Sequence, residues 1–121
     1  MLKKLYKISN IVLKSEKCKS KLEISVTDDL TIRQLNKKFR KIDRATDVLS
    51  FCMEEKDFLG DIIISLDTAK RNAKRYKNTL DIELSRLVVH GTLHLLGYDH
   101  IRKSDRIEMR KKEDVYAKKI L

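Results

Sequence analysis

Proline is absent from these 121 residues, and glycine occurs only at Gly60, Gly91 and Gly97. With neither of the common chain punctuators in quantity, and with no repeat, low-complexity tract or Gly/Ser linker, turns must come from polar clusters. Nothing marks a boundary between folding units. The length suits one compact domain with a real core, 1–121, and is too short for two ordinary ones. Cysteine appears twice, at Cys18 and Cys52, without the spacing of a paired metal ligand. A lone Cys52 at a strand end reads as a small core residue. The opening "MLKKLYKISNIVLK" holds no apolar run long enough for a secretory leader or a membrane span. The expectation is a cytoplasmic protein with reduced thiols and no membrane partner.

What is abundant is charge. Charged residues make up 38% and hydrophobic ones 41%, and 28 Lys and Arg against 18 Asp and Glu leave a formal charge of +10. A small body with that excess attracts polyanions before any specific contact forms, which makes nucleic acid the natural partner class. A lysine-rich solvated surface gives the same sum, so charge alone leaves both readings open.

Periodicity supplies the elements. Leu2, Leu5, Ile8 and Val12 have a loose helical spacing within 2–17, and "KLEISVT" at 21–27 alternates as a half-buried strand. Thr31 and Gln34 read as a capping box, followed by Ile32, Leu35 and Phe39 on one helical face ending near Arg40. "DVLSF" at 47–51 and "GDIIISL" at 60–66 read as two more strands, the second central, with the charged "CMEEKDFL" between them a loop. Helices are expected over 67–76, with Ala69 and Ala73 inward, and from a cap at Asn78 or Thr79 to about Leu96, stopped by Gly97. A last helix opens at Ser104 or Asp105, its apolar positions being Ile107, Met109, Val115, Tyr116 and Ile120. The sum is an α+β (mixed α/β) fold: a small mixed sheet of three to four strands packed with four to five helices.

Every histidine falls in "HGTLHLLGYDH", residues 90–100. On a helix His90 and His94 project from one face a turn apart, where two imidazoles can share one ion. Apart from them no ionisable residue lies between Leu87 and Leu96, so the helix is apolar all round and deeply packed. Burying imidazoles without partners costs about 1–3 kcal/mol for each unsatisfied group. Gly97 ends the helix, and a chain reversing there brings His100 back toward the same ion. The offsets match the metzincin protease signature at all three ligands and at the turn glycine. Three nitrogens with an open fourth position suit a catalytic Zn²⁺, which lowers the pKa of bound water to about 7. Gly91, however, stands where those proteases carry the glutamate base, so peptidase chemistry lacks its proton acceptor.

"HGTLHLLGYDH", "LNKKFRKIDRATDVLSF" at 35–51 and "LGDIIIS" at 59–65 closely resemble, in the same order, the YbeY family of bacterial rRNA-maturation endoribonucleases. The resemblance covers about 22–113. It implies one zinc held by His90, His94 and His100, and it associates Arg40 with activity. It also implies single-strand-specific RNA cleavage in 16S rRNA 3′-end maturation and ribosome quality control, with ribosomal RNA, the ribosome or a ribosomal protein as partner. Ala45 and Cys52 replace prolines usual in the family, Lys41 replaces a glycine, and part of the customary first strand is missing. These departures bear on loop stiffness, one sheet edge and the shape of the cleft.

On this reading Arg40 holds a phosphate oxygen and stabilises the charge that develops as a phosphodiester is attacked. Asp99 is placed to orient a ligand or take a proton, or else serves its own turn, and Thr46 and Asp47 are expected near the cleft. Lys41, Arg44, Lys70, Arg71 and Lys74, with Lys37, Lys38 and Arg75 near them, are candidate RNA contacts. Phe39, Phe51, Phe58 and Tyr98 are the nearest aromatics for base stacking, each also a candidate core residue. The alternative function is a non-catalytic assembly factor that binds rRNA, with zinc fastening the last turn to the helix.

Overall fold

The structure, a computed structural model, describes residues 1–98 and 103–120. Its elements run α1 (Leu2–Ser15), β1 (Lys21–Thr27), α2 (Asp29–Arg40), β2 (Val48–Glu55), β3 (Phe58–Ser65), α3 (Leu66–Arg75), α4 (Leu80–Leu95) and α5 (Lys103–Ile120). The strands form one mixed sheet in the order β1-β3-β2, with β1 parallel and β2 antiparallel to β3. This is the α+β architecture expected from the sequence, with the isoleucine-rich strand in the middle, where both faces are covered.

Register decides what the sheet offers to the site. Ile24, Ile62 and Ser50 lie in one row across it, and Val26, Ile64 and Val48 in the next. Because side chains alternate, both rows face the same way. On that face Ile62 and Ile64 are fully buried in a cluster with Leu5, Ile8 and Val12 of α1 and Leu84, Leu87 and Val88 of α4. Leu49 points to the opposite face and is buried, as is Ile32 of α2, outside that cluster. α4 is thus the helix around which α1, α3 and α5 pack.

Two local expectations are corrected. Residues 52–59 are not a loop: β2 runs on to Glu55 and β3 starts at Phe58, joined by a tight turn in which Asp57 adopts a left-handed conformation, φ 63°. β2 is an edge strand, and edge strands tolerate charge, so its polar composition hid the pairing. Helix α2 is capped by Asp28, whose carboxylate accepts the Thr31 N–H at 2.8 Å, so the helix begins two residues before Thr31. Both ends of α4 follow expectation. Thr79 caps α4 through the Ile82 N–H, and Gly97, at φ 102°, ends it with Tyr98 N–H bonding back to Leu93 and Gly97 N–H to His94. In α5, Met109 and Tyr116 are buried while Ile107 and Val115 are exposed. No described helix is long and apolar enough to cross a membrane.

Glu16, just beyond α1, ties three segments together. Its carboxylate accepts from Tyr98 and Tyr116, each at 2.5 Å, and from Lys112 Nζ at 3.1 Å. Burial alone would raise its pKa, but the hydrogen bonds from Tyr116, Tyr98 and Lys112 outweigh that and hold it below the ordinary 4.5. A carboxylate depressed in the folded state contributes stability that is complete above its unfolded pKa and is lost as pH falls through the folded value. Glu16→Gln should therefore lower stability at neutral pH and flatten the acid limb below about pH 4.5. Urea midpoints taken from pH 7 to pH 3 check this. A wild-type-shaped limb in the variant contradicts it.

Candidate metal and phosphate site

The two described histidines meet on α4, with ring centroids 4.6 Å apart and rings edge to face at 72°. Their neighbours Leu87, Val88, Val89 and Leu93 are buried, so the helix is fixed by packing on either side of the pair. Gly91 sets how close it comes to the sheet. A Cβ there would lie 2.9 Å from Ile62 Cγ2 and 3.2 Å from Ser50 Oγ. Ser50 Oγ donates to the Gly91 carbonyl at 3.3 Å. The absent glutamate at 91 thus has a packing reason as well as a chemical consequence.

This close approach brings the histidines over β2. A cavity of about 180 Å³ is lined by Arg40, Val48, Ser50, Cys52, His90 and His94. Three sources converge: Val48, Ser50 and Cys52 from one face of β2, the imidazoles from α4, and Arg40 as the last residue of α2. Lys41 turns the chain directly after Arg40 in a left-handed conformation, φ 59°. A residue with a Cβ pays about 1–2 kcal/mol for this geometry, which a glycine would adopt without strain. The turn is held all the same, by Asn36 Nδ2 on the Arg44 carbonyl at 2.9 Å and by the Arg33–Asp43 ion pair at 2.8 Å.

Two half-buried imidazoles a turn apart on one cavity wall are a donor set that fits a nitrogen-preferring divalent ion such as zinc. His100, the expected third donor, and Asp99 beside it lie outside the described residues. Glu113 of α5 is a member of the site that sequence reasoning missed: its Oε1 is 3.4 Å from His90 Nδ1. Nothing in the sequence singled it out from the other charges of α5, because only the docking of α5 on α4 selects it.

The remaining candidates are more dispersed. Lys41, Arg44, Lys70 and Lys74 are exposed. Arg71 is ion-paired with Asp29 at 2.6 Å. That carboxylate also accepts from Ser65 and Thr68; burial would raise its pKa, but these bonds and the Arg71 contact hold it below the usual range. Asp47 accepts the Val48 N–H at 2.8 Å and an Asn72 amide hydrogen at 3.4 Å. Cys52, expected in the core, is exposed on the cavity wall because β2 continues past Phe51. Phe39 is likewise exposed, 59%, and meets Phe51 edge-on at 5.5 Å on the sheet face opposite Ser50. Phe58 is half-buried, and Tyr98 is half-buried with its hydroxyl on Glu16.

An α+β protein with paired imidazoles and an arginine on one small cavity belongs to a narrow class, and its likeness to known proteins says which. The family described as Endoribonuclease YbeY matches residues 1–121. An Endoribonuclease YbeY of Desulforamulus reducens is 43% identical, over 94% of this chain and 82% of the relative. One of Nautilia profundicola is 48% identical, over 82% of this chain and 71% of the relative. The solution structure of the Thermotoga maritima protein TM1509 superposes with a TM-score of 0.74 at 32% identity, covering 98% of this chain and 80% of that one. The chain belongs to the endoribonuclease YbeY family.

Proposed function

We propose that this protein is a zinc-dependent endoribonuclease that hydrolyses phosphodiester bonds of single-stranded ribosomal RNA, acting in the cytoplasm on the 3′ end of 16S rRNA and in ribosome quality control. The observation that carries this reading is the shared cavity of Arg40, His90 and His94. Family membership supports the reaction class. His90 and His94, with His100, would hold one Zn²⁺; when bound, that ion supplies a Lewis acid for a phosphoryl oxygen and lowers the pKa of water.

The chain's own residues do the rest. Arg40 binds non-bridging phosphate oxygens through its planar fork and offsets the negative charge that grows as the phosphorus is attacked. Lys41, Arg44, Lys70 and Lys74, and the guanidinium of Arg71, 62% exposed despite its ion pair, draw the RNA backbone in. With few aromatics to stack bases, shape and electrostatics outweigh base reading. Asp99 is proposed to orient the neighbouring ligand or accept a proton.

Arg40→Ala tests the assignment. Cleavage of single-stranded RNA should fall on the order of 10²- to 10³-fold while zinc content and thermal stability stay at wild-type values. Cleavage unchanged by the substitution would hand the site to the alternative, a zinc-stabilised rRNA-binding assembly factor.

A further inference from the structure

A histidine can ligate through either ring nitrogen, and which one is available depends on what the other one touches. On α4 the Nδ1 of His90 lies 3.4 Å from Glu113 Oε1, and the two side chains are 25% and 20% exposed. Glu113 comes from α5, so the contact joins the cavity wall to a helix that contributes nothing else to the cavity's described lining. An ionised carboxylate has only lone pairs to offer, so an Nδ1 facing it must carry the proton, which leaves the lone pair on Nε2.

Other charged residues lie near this contact. Arg86, one turn before His90 on α4, is bonded to the fully buried Glu83 at 2.7 and 3.3 Å. Its guanidinium is attracted in addition to Asp47 and Glu113. Asn72 completes the group, with its amide between Asp47 and Glu83. These residues draw on α3, α4 and Asp47, the residue before β2.

We propose that Glu113 is a positioning residue of the metal site: it accepts the Nδ1 proton of His90 and so presents Nε2 as the ligating nitrogen. The role rests on the metal reading above. Carboxylates of this kind fix the ring's orientation and raise the basicity of the ligating nitrogen, and their loss weakens metal binding roughly 10- to 100-fold.

The tautomer can be read without any metal, which separates this proposal from the metal reading itself. In metal-free protein with nitrogen-15 in its histidines, at a pH where the rings are neutral, long-range proton–nitrogen correlation spectra should show His90 with its proton on Nδ1. Glu113→Ala should move that proton to Nε2. Glu113→Gln, whose amide oxygen still accepts, should keep it on Nδ1, and amide spectra of both variants establish that α5 remains docked. Zinc affinity should fall roughly 10- to 100-fold in Glu113→Ala and by less in Glu113→Gln. A wild-type His90 protonated on Nε2, or a tautomer unmoved by Glu113→Ala, overturns the proposal. Failure of the wild type to take up zinc overturns the proposed function instead, and the tautomer then decides the Glu113 contact alone.

Discussion

Glutamate placed at position 91 should prevent α4 from docking and leave the protein unfolded or aggregated at 37 °C. The substitution restores, in sequence, the proton acceptor of a metalloprotease helix, yet the structure has no room for it. The first carbon of any side chain would already lie 2.9 Å from Ile62 Cγ2, in a residue with no solvent exposure. A glutamate adds a carboxylate to that contact, where the row's polar side chain, Ser50, already donates to the Gly91 carbonyl, and a buried charge without a charged partner costs several kcal/mol. Gly91→Ala grades the effect. Alanine gains about 1 kcal/mol in helix propensity, while overpacking costs about 1–3 kcal/mol, so a net loss of about 0–2 kcal/mol is expected. Urea denaturation of both variants measures it. An alanine variant more stable than wild type would mean that α4 can shift without penalty and that the histidines are not fixed against β2.

His94→Ala should remove the second imidazole from the cavity and take with it both metal uptake and RNA cleavage. Structural zinc sites in small domains are worth about 10–16 kcal/mol in total, so one ligand among three amounts to roughly 3–5 kcal/mol, a loss of affinity on the order of a few hundred- to several thousandfold. The fold should survive. His94 is only partly buried, and its flanking residues Leu93 and Leu95 carry the packing of that turn. Zinc content after dialysis, far-UV circular dichroism and cleavage of a single-stranded RNA together make the test. A folded variant that keeps both zinc and activity would remove His94 from the site. A variant that unfolds would show the ion to be a fastener, as the assembly-factor reading requires.

Much of this fold is written in local pattern. The alternation of Leu22, Ile24 and Val26 marks β1, and the strand runs over the same seven residues, Lys21–Thr27. Three consecutive isoleucines with no polar alternation mark a strand covered on both faces, and β3 is central. Thr79 and Gly97 bracket α4 because one side chain can cap a helix start and the other residue can adopt a positive φ at its end. Pairing across the hairpin was not legible, since Met53, Glu55, Lys56 and Asp57 look like loop residues until β3 is there to bond with them.

The same division runs through the site. The spacing of His90 and His94 announces one shared face, and the structure brings those rings together. Residue chemistry alone would leave Arg40 at the solvent end of a helix. Its meeting with the histidines depends on how α2 and α4 are placed around the edge strand, information that reached the sequence only through likeness to a family. Glu113 and Cys52 were invisible for the same reason: each owes its place to a long-range contact, one between two helices and the other to the continuation of β2.

The most direct test of the account is X-ray absorption at the zinc edge of protein loaded with one equivalent of the metal. The account predicts one bound zinc with three imidazole nitrogens and at least one further oxygen that a phosphate analogue displaces. Four protein donors, a sulfur neighbour from Cys52, or no stoichiometric zinc would contradict it.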